Sequence, residues 1–184
     1  MMESNPDVIR WTRLTHAGWS MYIAATEQGL CYVGSQDKTF DEMAEWVAAK
    51  YPGAGLVQDD RIMKPYVREL EEYLQGKRDR FEMAMDYKGT PFQKAVWRAL
   101  CQIPYGKTMT YTDIAQSIGK PAAVRAVGAA IGANPLLVTV PCHRVIGKNG
   151  ALTGYRGGLA MKSQLLELER KHEQAIQKET AEYV

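Results

Sequence analysis

The segment Lys88-Gly89-Thr90-Pro91 divides the 184-residue chain into two parts with different patterns. Glycine and proline interrupt regular structure, so this segment predicts a junction between two units. Before it, period-two alternation and helical spacing both occur, which indicates a small α/β unit; after it, helical spacing dominates. We therefore predict an α/β domain over residues 1–88, a mainly helical domain over residues 89–172 and a polar, fraying tail over residues 173–184.

The first unit contains signals for a hairpin, two helices and a further strand. Residues 21–26 and 30–33 are apolar segments on either side of a Glu-Gln-Gly turn, which predicts a β-hairpin. Residues 39–51 and 61–74 have helical spacing, and residues 80–86 alternate with period two. This unit contains no recognisable catalytic constellation, so we expect it to have a structural role.

The second unit begins with signals for three helices in succession. Thr90 can cap a helix that has Pro91 at its first position, and Thr110 can cap a second helix ending near Ser117. A third helix is predicted from Pro121 to about residue 132, and the short glycine-containing turn before it is typical of a helix-turn-helix. Its side chains are almost all small, apart from Arg125. A helix that reads bases in the major groove carries several long polar side chains, so this one suits close groove approach instead.

Residues 140–145, with the sequence VPCHRV, hold the best candidate for a nucleophile. Basic neighbours lower a cysteine pKa, and the thiolate is the nucleophilic form, so His143 and Arg144 predict an activated Cys142. Adjacent side chains of an extended strand point to opposite faces, so we expect His143 to act on Cys142 through a water molecule. The glycine-rich residues 147–158 predict a pocket wall, and residues 159–172 predict a closing helix.

Composition excludes several classes of protein. The three cysteines are far apart and odd in number, which disfavours a disulfide framework, and we expect Cys31 and Cys101 to be core residues. Metal-ligand spacing is lacking, so no metal site is expected. Without a leader peptide or an apolar membrane span, the protein is expected in the cytoplasm. Residues 1–88 carry 11 Lys/Arg against 15 Asp/Glu and residues 89–184 carry 12 against 6, which suggests a polyanionic partner for the second unit.

Several motifs after the junction, taken in order, resemble those of the O6-alkylguanine-DNA alkyltransferases over roughly residues 88–170. The shared segments are Phe92-Gln93 with Val96-Trp97, Ile103-Pro104 with Gly106, Arg125-Ala126-Val127-Gly128, Asn134-Pro135, Pro141-Cys142-His143-Arg144-Val145, Gly154-Tyr155 with Gly157-Gly158, and Lys162 with Leu165-Leu166 and Glu169. The first unit is similar to the variable N-terminal domain of that family in size and pattern, without the zinc ligands that some members carry. The resemblance implies an α/β (α+β) fold, with a ribonuclease H-like three-stranded sheet before a winged-helix-like helical domain.

The resemblance also implies a reaction and the residues that perform it. Cys142 would take the alkyl group from guanine O6 in a single, irreversible displacement, with His143 as base and Glu169 orienting it. Glu167 lies only two positions from Glu169, so a small helix shift would exchange them. Tyr111 would meet guanine N3 and crowd the rotating phosphate.

DNA contact and base recognition are implied for two further sets of residues. Arg125 would fill the space of the flipped nucleotide from the minor groove, beside Ala123, Ala126 and Gly128. The pocket residues implied by the resemblance are Asn134, Val145, Tyr155, Arg156, Gly157 and Gly158. The backbone carbonyls of Cys142 and Val145 would accept from the guanine amine, and Arg156 would narrow the pocket or bind phosphate. The implied partner is double-stranded DNA containing O6-alkylguanine, bound by a monomer without a cofactor or metal.

Three other interpretations stay open. A non-catalytic alkyltransferase-like protein would bind lesions without repairing them, but such relatives replace the cysteine found here at position 142. A helix-turn-helix regulator would need base-reading side chains on residues 121–132. A thiol hydrolase using Cys142 and His143 would turn over repeatedly, whereas an alkyltransferase reacts once per molecule.

Overall fold

The computed structural model describes residues 6–182, and its first domain is built on a four-stranded sheet. Strands β1 (Val8–His16), β2 (Trp19–Thr26) and β3 (Gly29–Val33) are antiparallel, whereas β4 (Gly55–Gln58) pairs in parallel with β1. The predicted hairpin is confirmed. The prediction of three strands is wrong, because β1 and β4 were both missed.

The sequence pattern predicted a strand over residues 80–86 that does not form, and it did not indicate β1. Residues 80–86 were predicted to be a strand, but they run along the edge of the sheet with a single bridge between Leu30 and Met85. Strand β1 was not predicted, because its buried positions Ile9, Thr12 and Leu14 do not alternate regularly. Both faces of the sheet are covered, so burial along β1 changes from one face to the other.

Two helices cover the opposite faces of this sheet. Helix α1 (Phe40–Lys50) buries Met43 and Val47 against one face, with Ile9 and Tyr32. Helix α2 (Asp60–Leu74) packs on the other face, and its apolar side chains share one continuous core with the second domain. The face of α2 that points away from the sheet therefore packs against the C-terminal half of the chain.

The second domain has the predicted helix order. Helix α3 (Pro91–Cys101) begins with a capping box between Thr90 and Gln93, and α4 (Tyr111–Ser117) begins with one between Thr110 and Asp113. Both predicted caps are thus confirmed. Helix α5 (Val124–Gly132) completes the helix-turn-helix, while β5 (Met109–Thr110) pairs in parallel with β6 (Val145–Ile146).

Two helix boundaries differ from the prediction. Helix α5 begins at Val124 and not at Pro121, because residues 121–123 form a turn. Helix α6 (Leu159–Glu182) does not end near residue 172 but continues through the supposed polar tail. His172 lies 3.2 Å from the Tyr105 hydroxyl, which ties the middle of this helix to the loop after α3. Among residues 6–182, none of the helices is long and apolar enough to cross a membrane.

Candidate functional site

A tight turn held by one buried asparagine carries Cys142. The Asn134 amide nitrogen donates to the carbonyls of Leu136 and Val140, each at 3.2 Å, and lies 3.2 Å from the Cys142 Sγ. Its side-chain oxygen accepts from the Leu136 amide at 2.9 Å. Within the turn Val138 has φ 67°, a strained conformation for a β-branched residue that its surroundings must maintain. Asn134 thus fixes the position of the Cys142 sulfur in two ways, by hydrogen bonds to the backbone of the turn and by direct contact with the sulfur.

Burial determines the state of the Cys142 thiol. It raises the pKa of Cys142, and the nearby Asn134, Arg156 and Lys162 oppose this only in part. The prediction of a thiolate activated by Arg144 is therefore wrong, because the Arg144 guanidinium is committed elsewhere. It donates to the Glu169 carboxylate at 2.7 Å and to the Ile103 carbonyl at 2.7 Å. The resting thiol is protonated and needs a base.

The other two cysteines differ from each other. Cys31 is buried as predicted, and burial raises its pKa to about 12. Cys101 was predicted to be a core residue, but it is exposed. It is the last residue of α3, where the helix surface turns away from the core, and its sulfur lies 3.8 Å from the Tyr87 hydroxyl.

His143 is held in one orientation by Glu169. Cys142, His143 and Arg144 form a single 3-10 turn and not an extended strand, so alternation of side chains does not apply to them. The His143 Nε2 lies 2.5 Å from Glu169 Oε2, whereas Nδ1 is buried and makes no hydrogen bond within residues 6–182. An ionised carboxylate only accepts, so Nε2 carries the proton and the Nδ1 lone pair is available to a proton. Burial lowers the pKa of His143, which keeps the imidazole neutral near pH 7.

Glu169 is ionised despite its burial, because four donors surround it. Its Oε1 accepts from Arg144 and from the Gly106 amide at 3.0 Å, and its Oε2 accepts from His143 and from the Tyr73 hydroxyl at 2.7 Å. Burial alone would raise the pKa of this carboxyl, but His143 and Arg144 lower it to about 2. Such a carboxylate can stabilise an imidazolium.

The neighbouring Glu167 has a different environment. Its side chain is exposed and pairs with Arg170 at 2.6 Å and with Lys171 at 3.7 Å on the surface of the same helix. The structure thus places Glu169, and not Glu167, against His143.

Three residues of this site were assigned no role by sequence reasoning: Tyr73, Arg144 as a ligand of Glu169, and Lys162. Lys162 is fully buried, and its Nζ donates to the carbonyls of Val145 at 2.5 Å and Thr153 at 3.0 Å. It therefore engages the carbonyl of Val145 that the sequence assigned to the guanine amine. The sequence could have indicated Lys162, because it is a lysine within an otherwise apolar face of a helix. Nothing in the sequence indicated a role for Tyr73 in the site.

A cavity of about 400 Å³ lies between the helix-turn-helix and the glycine-rich loop. Its lining residues are Tyr111, Gly128, Ile131, Gly132, Gly154, Tyr155 and Arg156. The Tyr111 hydroxyl accepts from Thr153 at 3.0 Å. A Cβ at Gly157 would approach the Met161 sulfur to 2.5 Å and the Tyr155 ring to 2.7 Å, so a side chain at this position would displace both of those groups. The loop therefore closes tightly behind the Tyr155 ring.

Arg156 does not turn its charge towards the cavity. Its guanidinium donates to the carbonyls of Val33, Asn134 and Pro135 at 2.7, 2.8 and 3.1 Å, and lies over the Tyr32 ring. These contacts engage the guanidinium within the protein, which argues against phosphate binding. The other expectation, that Arg156 narrows the pocket, is consistent with its position in the cavity lining. Arg156 instead joins the glycine-rich loop to the first domain.

The predicted DNA-facing residues lie together at the start of α5. Arg125 and Ala126 are exposed, while Ala123 and Gly128 are half-buried. The Tyr111 ring would lie 3.9 Å from a Cβ at Gly128, so α4 and α5 meet closely there. This leaves a surface of small residues from which Arg125 projects.

Two family models match the sequence, one in each half of the chain. The family model for the 6-O-methylguanine DNA methyltransferase DNA binding domain matches residues 91–171, and that for the ribonuclease-like domain of the same enzymes matches residues 9–87. Together these models cover most of the chain, which belongs to the 6-O-methylguanine DNA methyltransferase family.

Individual relatives agree with this assignment. The chain is 58% identical over 170 residues to the inducible methylated-DNA–protein-cysteine methyltransferase of Bacillus subtilis, covering 92% of this chain and 95% of the relative. The crystal structure of the Mycobacterium tuberculosis O6-methylguanine methyltransferase superposes with a TM-score of 0.77 at 36% identity, covering 90% of this chain and 94% of that one. A structure of the same M. tuberculosis protein in complex with DNA has a TM-score of 0.75 at 36% identity, covering 89% of this chain and 93% of that one.

Proposed function

We propose that this protein repairs DNA by direct reversal of damage, transferring the alkyl group of O6-alkylguanine to Cys142 in a single irreversible event. The observation that carries the proposal is the buried series of Cys142, His143 and Glu169. A protonated thiol, a neutral imidazole with a free nitrogen and an ionised carboxylate lie within one buried cluster. This is the general arrangement of an activated nucleophile, a base and a group that orients the base.

The chemical step balances without a cofactor. The Cys142 thiol gives its proton through a water molecule to His143 Nδ1, and the resulting imidazolium is stabilised by Glu169. The sulfur then forms a bond to the alkyl carbon while the bond from that carbon to guanine O6 breaks. The bonding electrons remain on the guanine, where the Tyr111 hydroxyl assists the developing anion. The guanine takes up a proton from water, and His143 returns to water the proton that it took from the thiol. The thioether is stable, so the protein is consumed.

DNA must deliver the base outside the helix, because a thiol this deeply buried cannot reach O6 in an intact duplex. We assign Arg125 to the gap left by the flipped nucleotide, with Ala123, Ala126 and Gly128 against the minor groove. The exposure of Arg125 beside small residues supports this assignment. The complex of the M. tuberculosis relative with DNA supports DNA as the partner.

The base would be held in the cavity beside Tyr111. Tyr155 lines this cavity, whereas Gly157 and Gly158, which were expected in its wall, are not among its lining residues. Asn134 is assigned to the turn that presents the sulfur. The second carbonyl lone pair of Val145 remains available to a guanine amine beside Lys162. We further propose that residues 1–88 and 89–172 are the two domains of a monomer acting in the cytoplasm.

The non-catalytic alternative has little support. It requires a different residue at the nucleophile position, whereas Cys142 is present with its base and carboxylate in place. Repeated turnover as a thiol hydrolase would require release of the group from sulfur, and a thioether does not hydrolyse under physiological conditions.

Intact mass and peptide mapping after incubation with duplex DNA containing O6-methylguanine test the proposal. We expect a stoichiometric gain of a single methyl group on Cys142. Cys142→Ser should abolish transfer while retaining DNA binding, and Cys101→Ser, which removes an exposed thiol, should transfer normally. An unmodified protein, or a methyl group on Cys101 or Cys31, would refute the assignment.

A further inference from the structure

The first domain contributes a side chain to the buried relay. Tyr73 lies in the last turn of α2, and its side chain is fully buried. Its hydroxyl is 2.7 Å from Glu169 Oε2 and 3.4 Å from His143 Nε2. The two partners are 96 and 70 positions away along the chain. A domain expected to be only structural thus reaches the centre of the site.

The direction of this hydrogen bond follows from the charges. Burial and the neighbouring Glu169 raise the pKa of Tyr73 well above its usual value, so the phenol keeps its proton. The carboxylate accepts and cannot donate, so the Tyr73 hydroxyl donates to Oε2. That oxygen is the one that also accepts from His143, whereas Arg144 and the Gly106 amide have their shortest contacts with Oε1.

Packing fixes the position of the hydroxyl. The Tyr73 ring lies 5.4 Å from the Phe81 ring and meets the Tyr105 ring edge-on at 6.0 Å, measured between centroids. These rings come from the segment before α3 and the loop after it, so elements of both halves enclose the phenol. A donor placed this rigidly restricts how the Glu169 carboxylate can rotate.

We propose that Tyr73 is a positioning residue for alkyl transfer, holding Glu169 Oε2 against His143 Nε2 so that Nδ1 stays free to accept the thiol proton. This inference rests on the proposed function. It gives the first domain a part in the chemistry, through a hydroxyl that contacts neither the guanine nor the sulfur. Loss of the hydroxyl should therefore change the titration of the relay as well as its rate.

The sign of that change follows from the groups around His143. These are Glu169 and Lys162 from α6, Arg144 and Cys142 from the same turn, and Tyr73 from α2. Glu169 favours the imidazolium, whereas Arg144 and Lys162 disfavour it. A donor on Oε2 withdraws charge from the carboxylate. Without it the imidazolium becomes more favourable, so His143 should protonate at a higher pH.

The test is the single-turnover transfer rate of Tyr73→Phe as a function of pH, with duplex DNA containing O6-methylguanine. Losing one charge-assisted hydrogen bond should slow transfer about tenfold at neutral pH. The acidic limb, where His143 becomes protonated, should move to higher pH by about half a unit. Tyr105→Phe is the matched control, because the Tyr105 hydroxyl bonds to His172 and not to Glu169. It should keep the wild-type profile.

An unchanged rate and profile for Tyr73→Phe would overturn the inference. So would a slower rate with an unchanged acidic limb, since loose packing lowers the rate equally at every pH. If circular dichroism shows that Tyr73→Phe does not fold, a protein with 3-fluorotyrosine at position 73 is tested instead. That more acidic phenol donates more strongly, so the limb should move to lower pH, and an unchanged limb would again overturn the inference. Failure of the wild-type protein to gain a methyl group would instead refute the proposed function itself.

Discussion

Replacing Glu169 by glutamine should damage both the stability and the chemistry of this protein. The carboxylate accepts from Arg144 and the Gly106 amide on one oxygen, and from His143 and Tyr73 on the other. An amide has only one accepting oxygen. Whichever way the introduced amide is turned, its NH2 group faces donors, so at least one buried partner loses its acceptor.

The stability loss can be worked from the pKa of Glu169. Its ordinary value of 4.5 falls to about 2 in the folded protein. Each unit is about 1.36 kcal/mol, so the ionised carboxylate stabilises the folded state at pH 7 by about 3 kcal/mol. Removing one partner of a buried ion pair costs about 3–5 kcal/mol by a separate route, which agrees. We expect Glu169→Gln to lower the free energy of unfolding by about 3 kcal/mol.

The same pKa shift gives the pH dependence. A carboxyl whose pKa is depressed by folding stabilises the protein above its unfolded value, and this contribution disappears as pH falls from 4.5 towards 2. Burial lowers the pKa of His143 below 6.5, so its neutral folded form costs stability as pH falls below that value. Glu169 opposes this lowering, so the cost is larger in Glu169→Gln, and the difference in stability between wild type and variant should first widen below pH 6.5. It should then narrow below pH 4.5, as the Glu169 carboxylate of the wild type becomes protonated.

The chemical effect comes from the imidazole tautomer. If the amide turns its NH2 group to His143, it donates to Nε2 and the ring proton moves to Nδ1, which can then no longer accept the thiol proton. Losing a correctly held base slows a reaction by roughly 10²–10⁴-fold. We expect a loss of that size in the single-turnover rate of transfer to Cys142.

Urea unfolding at several pH values and rapid-quench transfer assays measure these effects. The matched control is Glu167→Gln on the exposed face of the same helix, which should leave both the transfer rate and the midpoint of unfolding close to wild type. The reasoning fails if the two variants behave alike. It also fails if the difference in stability between Glu169→Gln and wild type does not narrow as the pH falls from 4.5 towards 2.

Three further changes test the supports of the site. Asn134→Ala removes the amide that joins two carbonyls to the Cys142 sulfur, so unfolding free energy should fall by about 3 kcal/mol and transfer should slow; an unaltered urea midpoint would contradict this. Arg156→Met should lower the free energy of unfolding by about 2 kcal/mol in the same assay. Arg156→Lys should restore only part of that stability, because an ammonium cannot replace the planar guanidinium that bonds to the Val33 carbonyl and two others. Full restoration of stability by lysine would argue against that geometry. Lys162→Met should lower the free energy of unfolding at pH 7 by about 2 kcal/mol, measured by thermal melting. A more stable variant would contradict this, because it would mean that burying the charge costs more free energy than its two hydrogen bonds contribute.

Local signals in the sequence predicted the elements that depend on local chemistry. The capping boxes at Thr90 and Thr110 involve side chains only three positions apart, so the helix starts were readable from the residues themselves. The hairpin between β2 and β3 was readable for the same reason. Helix α6 was predicted too short, because Tyr105 and Lys107 support its polar second half from a loop more than sixty positions away.

The candidate site was predictable in its residues but not in its connections. Cys142, His143 and Glu169 were named from motif order, yet the choice between Glu169 and Glu167 required the angular position of each residue on α6. Tyr73 was not predictable, since a tyrosine on an amphipathic helix is an ordinary core residue. Its role depends on a contact across 96 positions between two domains.

The burial of Cys142 changes what its neighbours can be expected to do. From the sequence alone, Arg144, two positions after Cys142, favours a permanent thiolate, which would react with any electrophile that reached it. The structure turns this charge to Glu169, and burial raises the pKa of the thiol instead. In the proposed mechanism the thiolate then forms only when His143 takes the proton, once a base flipped out of DNA has entered the site. A nucleophile that can be used once is thereby kept unreactive until its substrate is in place.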